Sequence, residues 1–205
     1  MKKILHLDSS ARHDSDSRAM TAAIVATLRE RHPGLVVVRR DLVENPPSPM
    51  SQAWIAGAYG GAEAAALVAM VESDRLVDEV LDADVIVMGV PMYNFSIPSS
   101  VKAWIDQIVR VGRTFSYDGG RPAGLLPDRP VYVCLSRGGE YSPGSAMASF
   151  DFQEPYLRHI LGFIGLRDIH LLAHVHDQDA ARNAARLEAS RSLAVALVGR
   201  EAVSA

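Results

Sequence analysis

The chain has 205 residues, 48% of them hydrophobic and 22% charged, with a formal net charge of −3 and a single cysteine. That length supports one domain over residues 1–205 with a sizeable core and is short for two. The charge excludes the broad basic face of a nucleic-acid binder, the mild acidity argues against a strongly charged electron carrier, and the lone cysteine excludes an intrachain disulfide.

The opening "MKKILHLDSS" has two lysines and then a short apolar run ended by Asp8. The run is too short for the apolar core of a signal peptide and predicts a first strand over residues 3–7. The turn-like "DSSARHDSDS" follows. Met20, Ile24 and Leu28 then recur every four residues beside Ala23 and Thr27, a helix face that stops at "HPG", residues 32–34. Residues 35–38 read as a second strand and "ENPPSP", residues 44–49, as a loop. Leu67, Met70, Val71, Val77, Val80 and Leu81 form a helical stripe over residues 62–82, broken only by Asp74. A third strand covers residues 85–90. Val101, Trp104, Ile105, Ile108 and Val109 stand at i, i+3, i+4, i+7 and i+8, the spacing of another helix. "YDGGRPAGLLPDRP", residues 117–130, reads as a long loop. A strand over 131–135, a helix over 156–164 ending at Gly165, a strand over 169–172 and a helix over 178–199 complete the chain. The longest uncharged run, residues 85–101, is interrupted by Pro91, Asn94 and Pro98, too broken to cross a membrane. A cytoplasmic protein with no membrane and no nucleic-acid partner is expected.

Five apolar strands alternating with helices predict an α/β protein whose parallel sheet is covered on both faces, with right-handed crossovers. The continuous apolar runs agree with burial on two sides. Ligands of open α/β sheets sit beyond the carboxyl ends of the strands, where strand order reverses. Three unusual loops follow strands: "DSSARHDSDS", "PMYNFSIPSS" and "SRGGEYSPGS".

The first loop places Ser9, Ser10, Ser15 and Ser17 just before a helix. Hydroxyls and free N–H groups at a helix N-terminus make an anion site; the same serines also serve as ordinary N-caps, and on this loop alone capping stands ahead. The loop carries neither GxGxxG nor a P-loop pattern. Asp16 suits the helix dipole but repels a phosphate if it points inward. The second loop offers the flat faces of Tyr93 and Phe95 and the amide of Asn94, which also suit capping of the core or a subunit interface. The third offers paired glycines for close backbone approach, or an ordinary turn. Arg137 there faces either a ligand or solvent. Together the three loops suit a mononucleotide with a flat ring.

On "DSS" with "SDS", "PMYNFSIPSSVKAWID", "RVGRTFSYDGGRPAGLL", "SRGG" and "LGFIGLRDI", spread over nearly the whole chain, the sequence resembles the FMN-dependent NADH-azoreductase family of flavodoxin-like NAD(P)H:quinone oxidoreductases. The resemblance implies a flavodoxin-like three-layer sandwich, with helices on both faces of a five-stranded parallel sheet of order 2-1-3-4-5. It implies a homodimer with one FMN per subunit, NADH as electron donor, and quinones and aromatic azo compounds as acceptors. Hydride passes through flavin N5 in a ping-pong scheme, and no side chain acts as a catalytic nucleophile. Position by position, Ser10, Ser15, Asp16 and Ser17 match the phosphate-binding residues, while Met92, Tyr93, Asn94 and Phe95 match the segment against the isoalloxazine ring. Ser136, Arg137, Gly138 and Gly139 match the second flavin-contacting loop. Phe115 and Tyr117 are expected to line the substrate pocket from the partner subunit, with interface packing as the other reading. The family often has Gln where this chain has Asp16, and its loop before that position is one residue longer; here the backbone N–H remains available. A one-electron carrier and a flavin-based redox sensor are the alternative functions.

Other candidates weigh less. "HVH", residues 174–176, has metal-like spacing but no Cys, Asp or Glu partner at fitting spacing, so a strand end is expected, with no metal site. Cys134 is expected as a small core residue, and Trp104 as core or interface.

Overall fold

The structure, a computed structural model, describes residues 1–61, 63–117 and 120–201, and the side chains of all but the last three of these. The chain runs β1 (Lys3–Asp8), α1 (Asp16–Arg31), β2 (Val36–Asp41), α2 (Gln52–Ala58), α3 (Ala64–Asp82), β3 (Val85–Pro91), α4 (Ser99–Ile108), β4 (Phe115–Ser116), β5 (Ala123–Gly124), β6 (Val131–Arg137), α5 (Glu154–Phe163), β7 (Ile169–Val175) and α6 (Ala180–Glu201). Five strands pair in parallel in the order β2-β1-β3-β6-β7. Counted within the sheet, this is the expected order 2-1-3-4-5.

Alternation along each strand sorts side chains between two cores. Ile4 of β1, Val85 and Val87 of β3, and Tyr132 and Cys134 of β6 face one side, where they meet Met20, Ile24 and Leu28 of α1 and Ala194 and Val198 of α6. Leu5, Leu7, Ile86, Met88, Val90, Val131, Val133 and Leu135 face the other, against Leu76, Val77 and Val80 of α3, Val101, Trp104 and Ile105 of α4, and Leu157 and Leu161 of α5. Both faces of the central strands are therefore buried, which is why their sequences read as unbroken apolar runs. Trp104 and Cys134 are fully enclosed core residues.

Several expectations need correction. Two-sided burial holds for β1, β3 and β6 but not for the edge strand β2, whose Val36 is largely exposed. The α3 stripe is drawn differently: Ala66, Met70, Ser73, Leu76, Val77 and Val80 are buried, while Leu67, Val71 and Leu81 face outward. The helical segment over residues 50–82 divides into α2 and α3, and the loop after Tyr117 contains the second strand of a two-residue pairing, Phe115 with Gly124 and Ser116 with Ala123. β6 runs on to Arg137, so Ser136 and Arg137 belong to a strand and only Gly138 and Gly139 to the loop. Helix α5 ends where Gly165 takes φ +111°, the left-handed region that glycine enters without steric cost.

The register aligns the carboxyl ends. Asp8 pairs with Gly89, Pro91 with Ser136, and Arg137 with Val175. The chain leaves β1 outward to β2 and returns to β3 on the other side, so strand order reverses between β1 and β3. All three unusual loops emerge there.

Candidate functional site

The first loop is built from within. Ser9 Oγ donates to Gly89 O at 2.6 Å, pinning the end of β1 to β3. A Cβ on Gly89 would lie 3.2 Å from Thr21 Cγ2 and 3.3 Å from Asp8 Oδ1, so glycine lets α1 settle closely on the sheet. Arg18 then ties the loop down. Its guanidinium grips Asp41 through both nitrogens, at 2.6 and 3.0 Å, and donates to Ser10 O at 2.8 Å. Ser15 caps α1 by accepting Arg18 N–H at 3.3 Å, and Ser15 Oγ lies 3.3 Å from Ser17 Oγ. Among the described residues the N–H groups of Asp16 and Ser17 find no protein acceptor. They are orphan donors at the positive end of the helix.

The second loop is a tight reversal. Tyr93 and Ser96 exchange backbone hydrogen bonds at 2.9 and 3.1 Å. The two residues between, Asn94 and Phe95, both have positive φ, 49° and 70°. Two positive φ values in succession have the signs of a type I′ turn, which favours Asn first but normally glycine second. An aromatic residue in the left-handed region marks backbone strain, a feature that gathers at ligand sites. Phe95 is steadied by Phe150, ring centres 5.5 Å apart, and by Tyr141 at 6.4 Å edge-on. Its carbonyl accepts Phe152 N–H at 3.1 Å.

These loops share a cavity of ≈ 190 Å³, lined by Ser10, Arg12, Ser15, Asp16, Pro91, Met92, Tyr93, Ser136, Arg137, Gly138 and His176. The sequence-expected Ser10, Ser15, Asp16, Met92, Tyr93, Ser136, Arg137 and Gly138 thus converge. Ser17 is enclosed beneath the loop, and Asn94, Phe95 and Gly139 lie outside the cavity lining. The N–H groups of Gly138 and Gly139 donate to no described residue. A larger cavity of ≈ 480 Å³ lies beside the first loop, lined by Asp8, Asp41, Arg18 and Arg39 among others; these charges already pair with one another.

One expectation narrows here. Arg137 does not face solvent, although it lines the cavity. Its side chain is buried, with Nε donating to Gln153 Oε1 at 3.0 Å and Nη2 against Asp151 Oδ2 at 3.1 Å. Phe115 and Tyr117, expected at the pocket from the partner subunit or in interface packing, are absent from this protomer's own cavity lining, as either reading requires; Phe115 is buried against Phe163, ring centres 4.8 Å apart, and Tyr117 leans on it from solvent.

His176 and Arg12 were not anticipated. His176 Nδ1 stands 2.8 Å from Asp16 Oδ2, and His174 Nε2 3.6 Å from the same oxygen. The only sequence signal was the HVH spacing, and its carboxylate partner lies at the far end of the chain. Burial alone raises the Asp16 carboxyl, but the hydrogen bonds from His176 and Asn183 and the nearness of His174 outweigh it and hold the group below its ordinary value.

The family described as having a flavodoxin-like fold matches residues 2–196. The chain is 49% identical over 174 residues to FMN-dependent NADH:quinone oxidoreductase 2 of Trichormus variabilis, covering 82% of this chain and 84% of the relative. It is 43% identical over 198 residues to the FMN-dependent NADH:quinone oxidoreductase of Nostoc punctiforme, covering 94% and 97%. Its structure is similar to that of an azoreductase from Bacillus anthracis, with a TM-score of 0.88 and 25% identity, over 98% of this chain and 100% of that one.

Proposed function

The chain belongs to the flavodoxin-like fold family, among its FMN-dependent NADH:quinone oxidoreductases, and from that premise we propose that it reduces quinones and aromatic azo compounds with NADH through FMN held at this cavity. One observation carries the reading. Unclaimed N–H groups of Asp16 and Ser17 stand at a helix N-terminus by one loop, those of Gly138 and Gly139 stand on another, and the strained Tyr93–Phe95 turn lies between the two. Such donors fit a phosphate at one end and the polar edge of a flat ring at the other.

FMN, when bound, would supply two-electron hydride chemistry between NADH and the acceptor. The chain's own residues bind and orient. Ser10 and Ser15, with the backbone N–H groups of Asp16 and Ser17 in the first turn of α1, would hold the phosphate. Met92, Tyr93, Asn94 and Phe95 form the bed of the ring. Ser136 and the backbone of Arg137, Gly138 and Gly139 close its far edge, where their N–H groups oppose negative charge. No nucleophile is needed.

The protein acts as a homodimer built on one domain spanning residues 1–205, located in the cytoplasm. Supporting the dimer, Ile55, Tyr59, Leu67, Val68 and Val71 form an exposed apolar stretch along α2 and α3. The partner's copy of the β4–β5 pair then brings Phe115 and Tyr117 to each pocket. No helix among the described residues is long and apolar enough to cross a membrane, and neither membrane nor nucleic acid is assigned as a partner.

Steady-state oxidation of NADH by purified protein with FMN, using menadione or methyl red as acceptor, tests the reading. Oxidation well above that of free FMN is expected; a rate equal to free FMN overturns it, leaving the one-electron carrier or the redox sensor.

A further inference from the structure

A carboxylate in the first turn of an anion site poses a physical problem, because Asp16 repels the charge that the loop is built to hold. The fold turns it aside. Asp16 Oδ1 accepts from Asn183 Nδ2 at 3.2 Å, and Oδ2 accepts from Ser136 Oγ at 3.4 Å and lies 2.8 Å from His176 Nδ1.

Counting donors assigns the protons around it. Asn183 cannot be flipped, since its Oδ1 accepts Asp177 N–H at 3.0 Å while its amide nitrogen serves Asp16. That same Oδ1 faces His174 Nε2 at 3.1 Å, so His174 Nε2 carries a proton. His174 Nδ1 meets Ser190 Oγ at 3.2 Å. His174 is therefore occupied at both nitrogens and buried.

His176 is not. Its Nδ1 is engaged by Asp16, its Nε2 bonds to no described residue, and its half-buried ring lines the cavity beside Ser10 and Ser15. Two of the other cations at this edge are committed: Arg137 is buried against Asp151 and Gln153, and Arg18 holds Asp41 and Ser10 O. Arg12, in the exposed loop, meets Asp14 only through Nε.

We propose that His176, oriented by Asp16, binds the phosphate monoester of the flavin through Nε2. The inference rests on the FMN reading above. With Asp16 on one nitrogen and a phosphate on the other, the ring bridges two anions, and each needs an N–H from it. His176 therefore binds as the imidazolium, and Asp16 becomes a positioning residue that steadies that cation, as a carboxylate does for a histidine that holds a ligand on its other nitrogen. The apparent misfit of Asp16 is thereby removed: the carboxylate supports a cation at the phosphate instead of opposing the phosphate.

Riboflavin, which has the same ring and no phosphate, separates this role from any other. FMN and riboflavin are titrated into apoprotein, following flavin fluorescence, for wild type, His176→Gln and Asp16→Asn, with circular dichroism melts run on each. His176→Gln is expected to weaken FMN about 10- to 100-fold, the range for a hydrogen bond to a charged group, with riboflavin affinity held within about twofold. Asp16→Asn is expected to weaken FMN selectively by a smaller factor. A parallel fall for both flavins, or no change in either, overturns the proposal. So does a wild type that loses FMN affinity on dialysis against EDTA, because Asp16, His174 and His176 hold their ligand atoms within 4.8 Å of one another and would then be holding a cation. A wild type that binds neither flavin overturns the FMN reading itself, and the inference with it.

Discussion

The phenol oxygen of Tyr93 accepts the backbone N–H of Ala11 at 3.0 Å, joining the loop after β3 to the loop after β1. Ser10 Oγ lies 3.5 Å from the same oxygen. One hydroxyl thus sets the spacing between the phosphate end of the cavity and the bed proposed for the ring. Tyr93→Phe keeps the ring and deletes that link. Since Ala11 is exposed and water replaces its lost partner, the cost is that of a single hydrogen bond, about 0.5–1.5 kcal/mol. FMN affinity should fall about two- to tenfold, and the melting temperature by no more than a few degrees. An unaltered FMN dissociation constant would show that the link does not organise the site.

Asn94 and Phe95 share a turn whose φ values favour glycine. Asn94→Gly removes the side chain without opposing the backbone, so its stability should stay within about 0.5–1 kcal/mol of wild type. Asn94→Val places a β-branched residue at φ 49° and should cost about 1–3 kcal/mol. Urea titration of the two variants measures the difference. If both lose equal stability, the turn carries no strain. FMN affinity of the glycine variant then isolates the contribution of the Asn94 amide.

Arg137 links three elements. It pairs with Asp151 Oδ2, whose other oxygen accepts the N–H groups of Gln153 at 2.9 Å and Glu154 at 3.0 Å at the start of α5. Gln153 in turn donates to Val90 O of β3 at 3.1 Å. Arg137→Ala leaves a largely enclosed carboxylate without its cation, a class of change that costs about 3–5 kcal/mol. Thermal melts should show a large destabilisation; a shift of only a degree or two would mean that Arg137 is dispensable to the fold.

Acid should loosen the site first. Burial raises the carboxyls of Asp8, Asp16 and Asp41, but His6 and Arg18 beside Asp8, His176 and Asn183 beside Asp16, and Arg18 beside Asp41 bring all three below the ordinary 3.8. The unfolded chain therefore takes up protons before the folded one does. The stability these pairs contribute is complete above 3.8 and drains away as pH drops through the lower folded values. Urea midpoints taken between about pH 6 and pH 3 should decline in the lower half of that range. A flat profile would contradict the pairing.

Cys134 lies fully enclosed on β6, and burial, helped by the negative charge of Asp8, pushes its thiol well above the ordinary thiol range. A thiol held protonated and covered does not attack electrophiles. Native protein should give no reaction with a disulfide reagent over the time in which urea-unfolded protein releases one equivalent. Rapid native reaction would mean that β6 opens.

Much of the scaffold is written locally. β3 and the first five residues of β6 are unbroken apolar runs because both faces of those strands are covered, β1 is interrupted only by the buried His6, and α1 and α4 announce themselves through apolar residues every three or four positions. The strand order came through resemblance, since no strand states its neighbour. The two-residue strands β4 and β5 are too short for an alternating pattern to repeat. On α3 the pattern misled for another reason: Leu67 and Val71 are as apolar as Val77, and hydropathy does not distinguish a side chain aimed at the core from one left on the surface.

The site divides the same way. The serines before α1, the Tyr–Asn–Phe segment and the paired glycines were legible because each is unusual within its own few residues and each follows a strand. The positive φ of Phe95 was not, because an aromatic residue gives no hint of it. The commitment of Arg137 to Asp151 and the meeting of Asp16 with His176, 160 residues away, were not legible either. Periodicity and turn chemistry act between neighbours in the chain, so the sequence by itself determines the elements and the loops that leave them. Which charges meet across those loops depends on strand order and register, and only the tertiary structure decided that Asp16 would face two histidines rather than a phosphate.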